Sequence, residues 1–319
     1  MSKLKSKNVI VTGGAGFIGS NLVNRLIQKG HNVVVIDNLS SGKKENVHPK
    51  AKFYKADVRD KSISKIFEKE NPKVVFHLAA HPLIGQAYKK PFKAIETNIM
   101  GTVNILEICR ERGNLEIIVV VSSDKAYGKS KKLPYQEHFP LKGDHPYDVS
   151  KAAADLIAQT YFHTYNMPVA ITRFSNTFGP GDLNFSRIVP GAIDAALKNK
   201  ELLIRSDGKM VRCYTYVKDI ADGCIKLMEN KEKIAGEAFN FASENILSVT
   251  DVVKKIEKIL GVKINYKILN IANNEIPRQY LDWTKAKKTL NWQPMTTFED
   301  GIKETFDWIR SAGLKHNQV

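Results

Sequence analysis

Asn8-Val-Ile-Val-Thr-Gly13-Gly-Ala-Gly16-Phe-Ile-Gly19 is the stretch on which the reading of this chain turns. An apolar run of strand length, Asn8–Thr12, feeds directly into three glycines at GxxGxxG spacing. A helical pattern follows over Gly16–Lys29, and a second apolar strand, Asn32–Asp37, ends in a carboxylate at the distance a dinucleotide fingerprint asks for. A glycine triplet alone says little; strand, glycines, helix and acidic strand end in this order say much more. The glycines permit a tight turn and close backbone approach to a pyrophosphate. The helix N-terminus offers free amides and a partial positive charge for it. Asp37 is suited to accept hydrogen bonds from ribose hydroxyls and would repel a 2′-phosphate, so NAD is expected rather than NADP. Asp57, after the next strand, is expected near the adenine, although a helix cap calls for the same residue type.

Outward from this motif, strands and helices alternate. Lys52–Lys55, Val74–Leu78, Ile117–Ser122 and Val169–Phe174 read as strands; Ser62–Asn71, Ala94–Arg112 and Val149–Tyr165 read as helices. Near-continuous apolar strands alternating with helices predict an α/β fold, a doubly wound parallel sheet covered on both faces. After Phe174 the rhythm weakens. Asn176–Asp182 reads as a loop, with helices at Val189–Asn199, Asp219–Met228, Val249–Leu260 and Thr297–Ser311 and short strands at Glu201–Ile204 and Phe239–Phe241. This predicts a cofactor-binding Rossmann domain over 1–175 and a smaller mixed α/β substrate lobe over 176–319, interleaved at the boundary.

Bulk properties narrow the alternatives. With 319 residues, 43% hydrophobic and 26% charged, the chain has an ordinary globular balance and enough length for a large core. Cys109, Cys213 and Cys224 show no paired spacing, so reduced thiols in a cytoplasmic protein are expected, with no disulfide framework and no metal site. No secretory core follows Met1, and no apolar run approaches the ~18 residues of a membrane span. The net charge of +16 raises the question of nucleic acid or membrane binding. The lysine pairs at 43–44, 89–90, 131–132 and 254–255 alternate with acids and apolar residues, which describes a solvated surface rather than a binding stripe. No nucleic-acid or membrane partner is expected, and the positive field suits a substrate carrying a diphosphate.

Tyr147-Asp-Val-Ser-Lys151 places a phenol and an amine at i,i+4, on one face of a helix. A phenol titrates near ~10, too high for a base at neutral pH. A neighbouring ammonium and a positive nicotinamide both favour the phenolate. Ser123 follows an apolar strand, at the sheet end where ligands of open α/β folds bind, and is suited to hydrogen-bond a substrate hydroxyl and Tyr147.

Thr12-Gly-Gly-Ala-Gly-Phe-Ile-Gly19, His77-Leu-Ala-Ala80, Asn98-Ile-Met-Gly-Thr102, Ser122-Ser-Asp-Lys125, Tyr147-xxx-Lys151, Arg173-Phe-Ser-Asn176-Thr-Phe-Gly-Pro-Gly181 and Arg212-Cys-Tyr-Thr-Tyr-Val-Lys-Asp219 together resemble the extended short-chain dehydrogenase/reductase family. These are the nucleotide-sugar epimerases and dehydratases, and the likeness covers almost the whole chain. The resemblance implies a Ser123–Tyr147–Lys151 catalytic triad. It implies that Phe17, Ile18, Asn38, Val58, Leu78, Ala79 and Ala80 line the NAD with the glycines, and that Asn98 anchors its nicotinamide end. It also implies that Asn176, Arg187, Arg212 and Arg278 meet a nucleotide diphosphate sugar, as bidentate arginine chemistry suits. Family members usually carry Asp after the first of these last two arginines; this chain has Cys213. Relatives pair as homodimers through two helices, here Ala94–Arg112 and Val149–Tyr165.

Asp124 and Lys125 bear on the reaction. A 4,6-dehydratase needs a base for the C5 proton and an acid for the C6 hydroxyl, beyond the C4 oxidation shared with epimerases and decarboxylases. Ser123-Asp-Lys125 and Ala79-Ala-His-Pro-Leu83 resemble the dehydratases that act on CDP-glucose. An NDP-sugar 4,6-dehydratase with a CDP-glucose-like substrate is therefore expected. A UDP-hexose 4-epimerase is the alternative, ahead of a UDP-glucuronate decarboxylase or a non-catalytic NAD-binding regulator.

Overall fold

A computed structural model of the chain describes residues 6–272 and 275–316; Met1–Lys5, where no secretory core was expected, lie outside it. In chain order the first half runs β1 (Asn8–Thr12), α1 (Phe17–Gln28), β2 (Asn32–Asp37), β3 (Lys52–Lys55), α2 (Ile63–Glu70), β4 (Val74–His77), α3 (Ile84–Lys89), α4 (Pro91–Ile95), α5 (Gly101–Arg112), β5 (Ile117–Ser123), α6 (Pro146–Tyr165) and β6 (Val169–Phe174). The second half continues β7 (Asn176–Phe178), α7 (Ile188–Lys198), β8 (Leu202–Ile204), β9 (Val211–Tyr216), α8 (Val217–Glu229), β10 (Ala238–Phe241), β11 (Ile246–Ser248), α9 (Val249–Leu260), β12 (Tyr266–Ile268), β13 (Arg278–Gln279), α10 (Thr284–Leu290) and α11 (Phe298–His316).

Seven strands make one parallel sheet in the order β10-β6-β5-β4-β1-β2-β3. The chain moves outward from β1 to β3, then returns to place β4 on the other side of β1. That reversal opens a crevice at the C-terminal strand ends, where such folds bind ligands. Alternation along β1 explains the two-sided burial: Val9 and Val11 face a core with Leu22, Val23 and Leu26 of α1 and Ile220, Cys224 and Leu227 of α8. Ile10 faces the opposite core, with Phe67 of α2, Ile105 and Leu106 of α5 and Ala158 of α6. Each fully buried aliphatic side chain contributes about 1.5–3 kcal/mol.

Several elements differ from the sequence reading. Asn176–Asp182 is not all loop, because β7 pairs with β9, a long-range partner that local Gly-Pro content does not reveal. The strand over Phe239–Phe241 joins the large sheet, pairing parallel to β6 as β10. Ala94–Arg112 is not one helix: α4 ends at Ile95 and a π-turn, Glu96–Met100, precedes α5. The bulge buries Asn98 at 2% exposure, turning its amide into the interior; such bulges are frequent at functional sites. The helix over Val149–Tyr165 starts earlier, with Pro146 in its first turn, where a missing N–H costs nothing. β7, β9, β11 and β13 form a second sheet, β8 pairs β12, and α7, α9 and α11 cover a third core around Tyr214, Tyr216 and Phe298.

A buried ion pair ties α6 and the chain segment after β5 to the large sheet. The Arg173 guanidinium of β6 donates through Nε and Nη2 to both Asp155 carboxylate oxygens of α6, at 2.8 and 2.9 Å. Its Nη1 donates to the Tyr127 hydroxyl and the Glu137 carbonyl, each at 2.8 Å. Breaking one partner of such a pair leaves an uncompensated buried charge. Asp155→Ala is expected to lose about 3–5 kcal/mol in urea unfolding. A loss below about 1 kcal/mol would show that the pair is not holding α6 in place.

Candidate active site

A cleft of about 1530 Å³ opens at the C-terminal ends of β1, β2 and β4. Gly13, Gly16, Phe17, Ile18, Gly19, Asp37, Asn38, Val58, Leu78, Ala79, Ala80 and Arg187 all line it. Gly13 has φ +73°, and a Cβ there would stand 2.7 Å from the Ala79 nitrogen. A Cβ on Gly19 would stand 2.2 Å from the Gly13 carbonyl oxygen. The loop therefore closes only with glycines, and it presents bare backbone and the α1 N-terminus to the cleft. The Asp37 carboxylate accepts from the Ala15 amide at 3.0 Å and the Leu39 amide at 2.8 Å, which aims it along the cleft rim. Burial pushes this carboxyl up, opposed by those two amides. A glycine cradle, a helix N-terminus and an acidic strand end on one wall fit an NAD molecule.

Two expected contacts fall elsewhere. Asp57 does not line the cleft. Its carboxylate accepts from Arg59 and from the Asn38 amide at 2.8 Å, and the Arg59 guanidinium holds it far below the usual carboxylate range. Asp57 thus acts on Asn38, which does line the cleft. Asn98 is likewise behind the wall. Its Oδ1 accepts from the His81 amide at 2.6 Å and its Nδ2 donates to Ser150 at 2.8 Å, fastening the Ala79–His81 segment to α6.

Beyond Val121, on the cleft wall, lie the catalytic candidates. Lys151 Nζ donates to the Val121 carbonyl at 2.9 Å. Burial pulls this amine down to about 8, with Asp155 opposing. Burial also pushes Tyr147 up to about 12, opposed by Arg187 and by a hydrogen bond with Ser123. The sequence reading expected a phenol acidified by Lys151; instead the buried amine is engaged with a carbonyl, and desolvation of the phenolate prevails.

Asp124 and Lys125 start a short 3-10 turn directly after β5, and both are buried, at 3% and 8% exposure. Asp124 accepts from the Ser123 hydroxyl at 3.1 Å. Lys125 Nζ donates to Gln279 Oε1, and Gln279 Nε2 donates back to the Asp124 carbonyl at 2.9 Å. Burial raises the Asp124 carboxyl, against Lys125 and Arg212; burial lowers the Lys125 amine, with Arg212 adding to it and Asp124 opposing. Both shifts favour neutral side chains.

On the substrate side, Asn176 begins β7 in register with Tyr214 of β9. Arg212 is 5% exposed, and its Nη2 meets Glu275 at 3.1 Å. Arg187 pairs with buried Asp182 at 3.1 Å and lies 6.0 Å from the Phe17 ring centroid. Arg278 is exposed on β13, beside the Tyr280 ring, and is not brought to this cluster. Cys213, in place of the usual family Asp, donates to the Ser243 carbonyl at 2.9 Å inside the core.

A family model described as GDP-mannose 4,6 dehydratase matches residues 10–305. The chain belongs to the NAD-dependent nucleotide-sugar epimerase/dehydratase family. It is similar to a putative UDP-glucose 4-epimerase of Methanocaldococcus jannaschii, 32% identical over 95% of this chain and 98% of that one. The UDP-glucose 4-epimerase of Thermotoga maritima, solved with UDP-glucose, superposes with a TM-score of 0.90 at 32% identity, over 96% of this chain and 99% of that one. The dTDP-glucose 4,6-dehydratase of Bacillus anthracis, solved with NAD, superposes with a TM-score of 0.85 at 31% identity, over 96% and 97%. This chain is thus an NAD-dependent enzyme of nucleotide-sugar chemistry.

Three residues of this nucleotide-sugar enzyme escaped the sequence reading. Gln279 directly follows Arg278; only strand alternation beside that arginine hints that it points the other way. Glu275 carries no local signal. Asp148 sat unnoticed within the Tyr147–Lys151 motif, is 4% exposed, and is pushed up to about 6 by burial, against Lys125 and His145. A carboxyl with a raised folded value loses stability as pH climbs from its unfolded value, ~3.9, to about 6, and stays at that deficit above. Asp148→Asn, neutral throughout, is expected to raise Tm by a few degrees above pH ~7 and hardly at all near pH ~4. An equal offset at both pH values would refute the assignment.

Proposed function

We propose that this enzyme is an NDP-sugar 4,6-dehydratase acting on a CDP-glucose-like substrate. The observation that carries this reading is the buried Asp124–Lys125 pair at the end of β5, beside Ser123, where burial raises the proton affinity of the carboxyl and lowers that of the amine. An epimerase has no step that uses such a pair. The Ala79-Ala-His-Pro-Leu83 stretch, which lines the cleft, supports the CDP-glucose side of the proposal.

Ser123 and Tyr147 hold the C4 hydroxyl of the sugar, and Tyr147 takes its proton. Gly13, Gly16, Gly19 and Asp37 would hold NAD, which would supply the acceptor for the C4 hydride and its donor at C6, and a positive ring that favours the phenolate. Lys151 adds positive charge behind Tyr147. With C4 a ketone, the C5 proton is acidic. Lys125 removes that proton and Asp124 protonates the departing C6 hydroxyl, which leaves as water. The proton on Lys125 returns to C5 and the one on Tyr147 replaces that given by Asp124, so the 4-keto-6-deoxy product differs from the substrate by one water, with no net redox change. Arg187 and Arg212 hold the diphosphate, whose charge displaces Glu275 from Arg212.

Incubation with NAD and a panel of CDP-, dTDP-, UDP- and GDP-hexoses, followed by product mass, tests this. Loss of one water is expected, greatest for the CDP sugar. Tyr147→Phe should lower turnover about 10²–10⁴-fold, and Lys125→Met should spare the C4 oxidation more than the elimination. An isomer of unchanged mass, with Lys125 dispensable, would instead mark a UDP-hexose 4-epimerase, the reading that the 32% identity to epimerase-named relatives favours.

We also infer a homodimer. Phe92, Ile95, Met100, Val149 and Leu156 are exposed apolar residues on or beside α4, α5 and α6, which pack together. Exposed apolar residues gathered on helices that pack together suit an interface. Light scattering should give twice the chain mass, and Leu156→Arg should give the single chain; a monomeric wild type refutes it. The free buried thiols of Cys109, Cys213 and Cys224 support a reducing, cytoplasmic setting.

A further inference from the structure

Lys125 is held by a residue from the far end of the chain. Gln279 is fully buried on β13, and its side chain forms a closed link: Oε1 accepts from Lys125 Nζ, while Nε2 donates to the Asp124 carbonyl at 2.9 Å. The strand pairing puts Gln279 opposite Arg212 of β9, so one ladder carries both an anion-binding arginine and the partner of the amine. A buried lysine needs an acceptor, and here the acceptor is an amide rather than a carboxylate. The two are nearly the same shape. They differ in what they do to the proton: a carboxylate binds an ammonium strongly, whereas an amide accepts from either the ammonium or the neutral amine.

We propose that Gln279 is the positioning residue for Lys125, fixing the place of its nitrogen against the Asp124 main chain while leaving its charge free to change. The proposal rests on the dehydratase reading for its consequence in catalysis, but its physical content concerns Lys125 alone. Asp124 from its own turn, Arg212 from β9, Asp148 from α6 and Glu275 before β13 also face this amine. Arg212 opposes its protonation and the three carboxyl groups, when ionised, favour it, so Gln279 is the partner in this surround that carries no titrating charge of its own.

Gln279→Glu keeps the acceptor and adds a charge; Gln279→Leu removes the acceptor. Acetic anhydride reacts only with neutral amines, and the pH midpoint of Lys125 acetylation, read by peptide mass spectrometry, measures its proton affinity without any turnover. The expected shift in Gln279→Glu is upward by about one pH unit or more, since an opposite charge at this range favours the ammonium. The elimination should then need higher pH than in the wild type, relative to the C4 oxidation followed by nicotinamide absorbance. Gln279→Leu should lower the ratio of elimination to oxidation at every pH. An unmoved acetylation midpoint in folded Gln279→Glu overturns the proposal, even if Gln279→Leu fails to fold. If the midpoint moves and the wild type forms only an isomer, the positioning stands and the dehydratase reading falls.

Discussion

The guanidinium of Arg173 is the constraint on which the site depends. It is 2% exposed, it satisfies both oxygens of Asp155 on α6, and it reaches the Tyr127 hydroxyl and the Glu137 carbonyl. One side chain thus fixes three things to β6: the helix that carries Tyr147 and Lys151, the turn that carries Asp124 and Lys125, and the segment that crosses between them. Tyr127 also donates to Asn240 of β10, and the Asn240 amide donates to Glu137. The network is closed, and a closed buried network specifies one arrangement because every alternative leaves a polar group unpaired. Lys151 is drawn into the same frame, since Asp155 lies one turn further along α6 and supplies the charge that opposes its desolvation.

Burial, more than pairing, sets the electrostatics. Tyr147 and Asp124 are pushed toward their neutral forms, and so are Lys125 and Lys151. Shifts in these directions bring the proton affinities of acid and amine closer together, which suits proton transfer over short distances. The chain carries a net +16, whereas burial opposes the charged form of Asp124, Lys125, Tyr147 and Lys151 in the reacting pocket. The phenol is the exception that needs outside help, because desolvation raises it and the protein supplies only Ser123 and Arg187 against that.

Much of this was legible beforehand. Gly13, Gly16, Gly19 and Asp37 line one cleft because their spacing reflects a strand–turn–helix unit whose geometry is local. The six strands of the first half appear where they were expected; five of them leave a near-continuous apolar signature because they are buried on both faces, whereas β3 is a half-exposed edge strand. The π-turn around Asn98 was missed, because an extra residue in a helical turn does not alter the apolar period enough to show. β7 was missed because three residues gain strand character only from the partner β9.

The sequence by itself determined the parallel strands β1–β6, the dinucleotide cradle and the placement of a phenol and an amine on one helical face, for all of these follow from periodicity and spacing within a few tens of residues. The tertiary structure alone decided which charges those groups carry and who holds them. Gln279 meets Lys125 across more than a hundred and fifty residues, Asn98 turns inward to fasten His81 to Ser150, and Asp57 steadies Asn38 rather than lining the cleft. The reason is physical: proton affinity depends on desolvation and on the nearest dipoles in space, and neither is a property of neighbours along the chain.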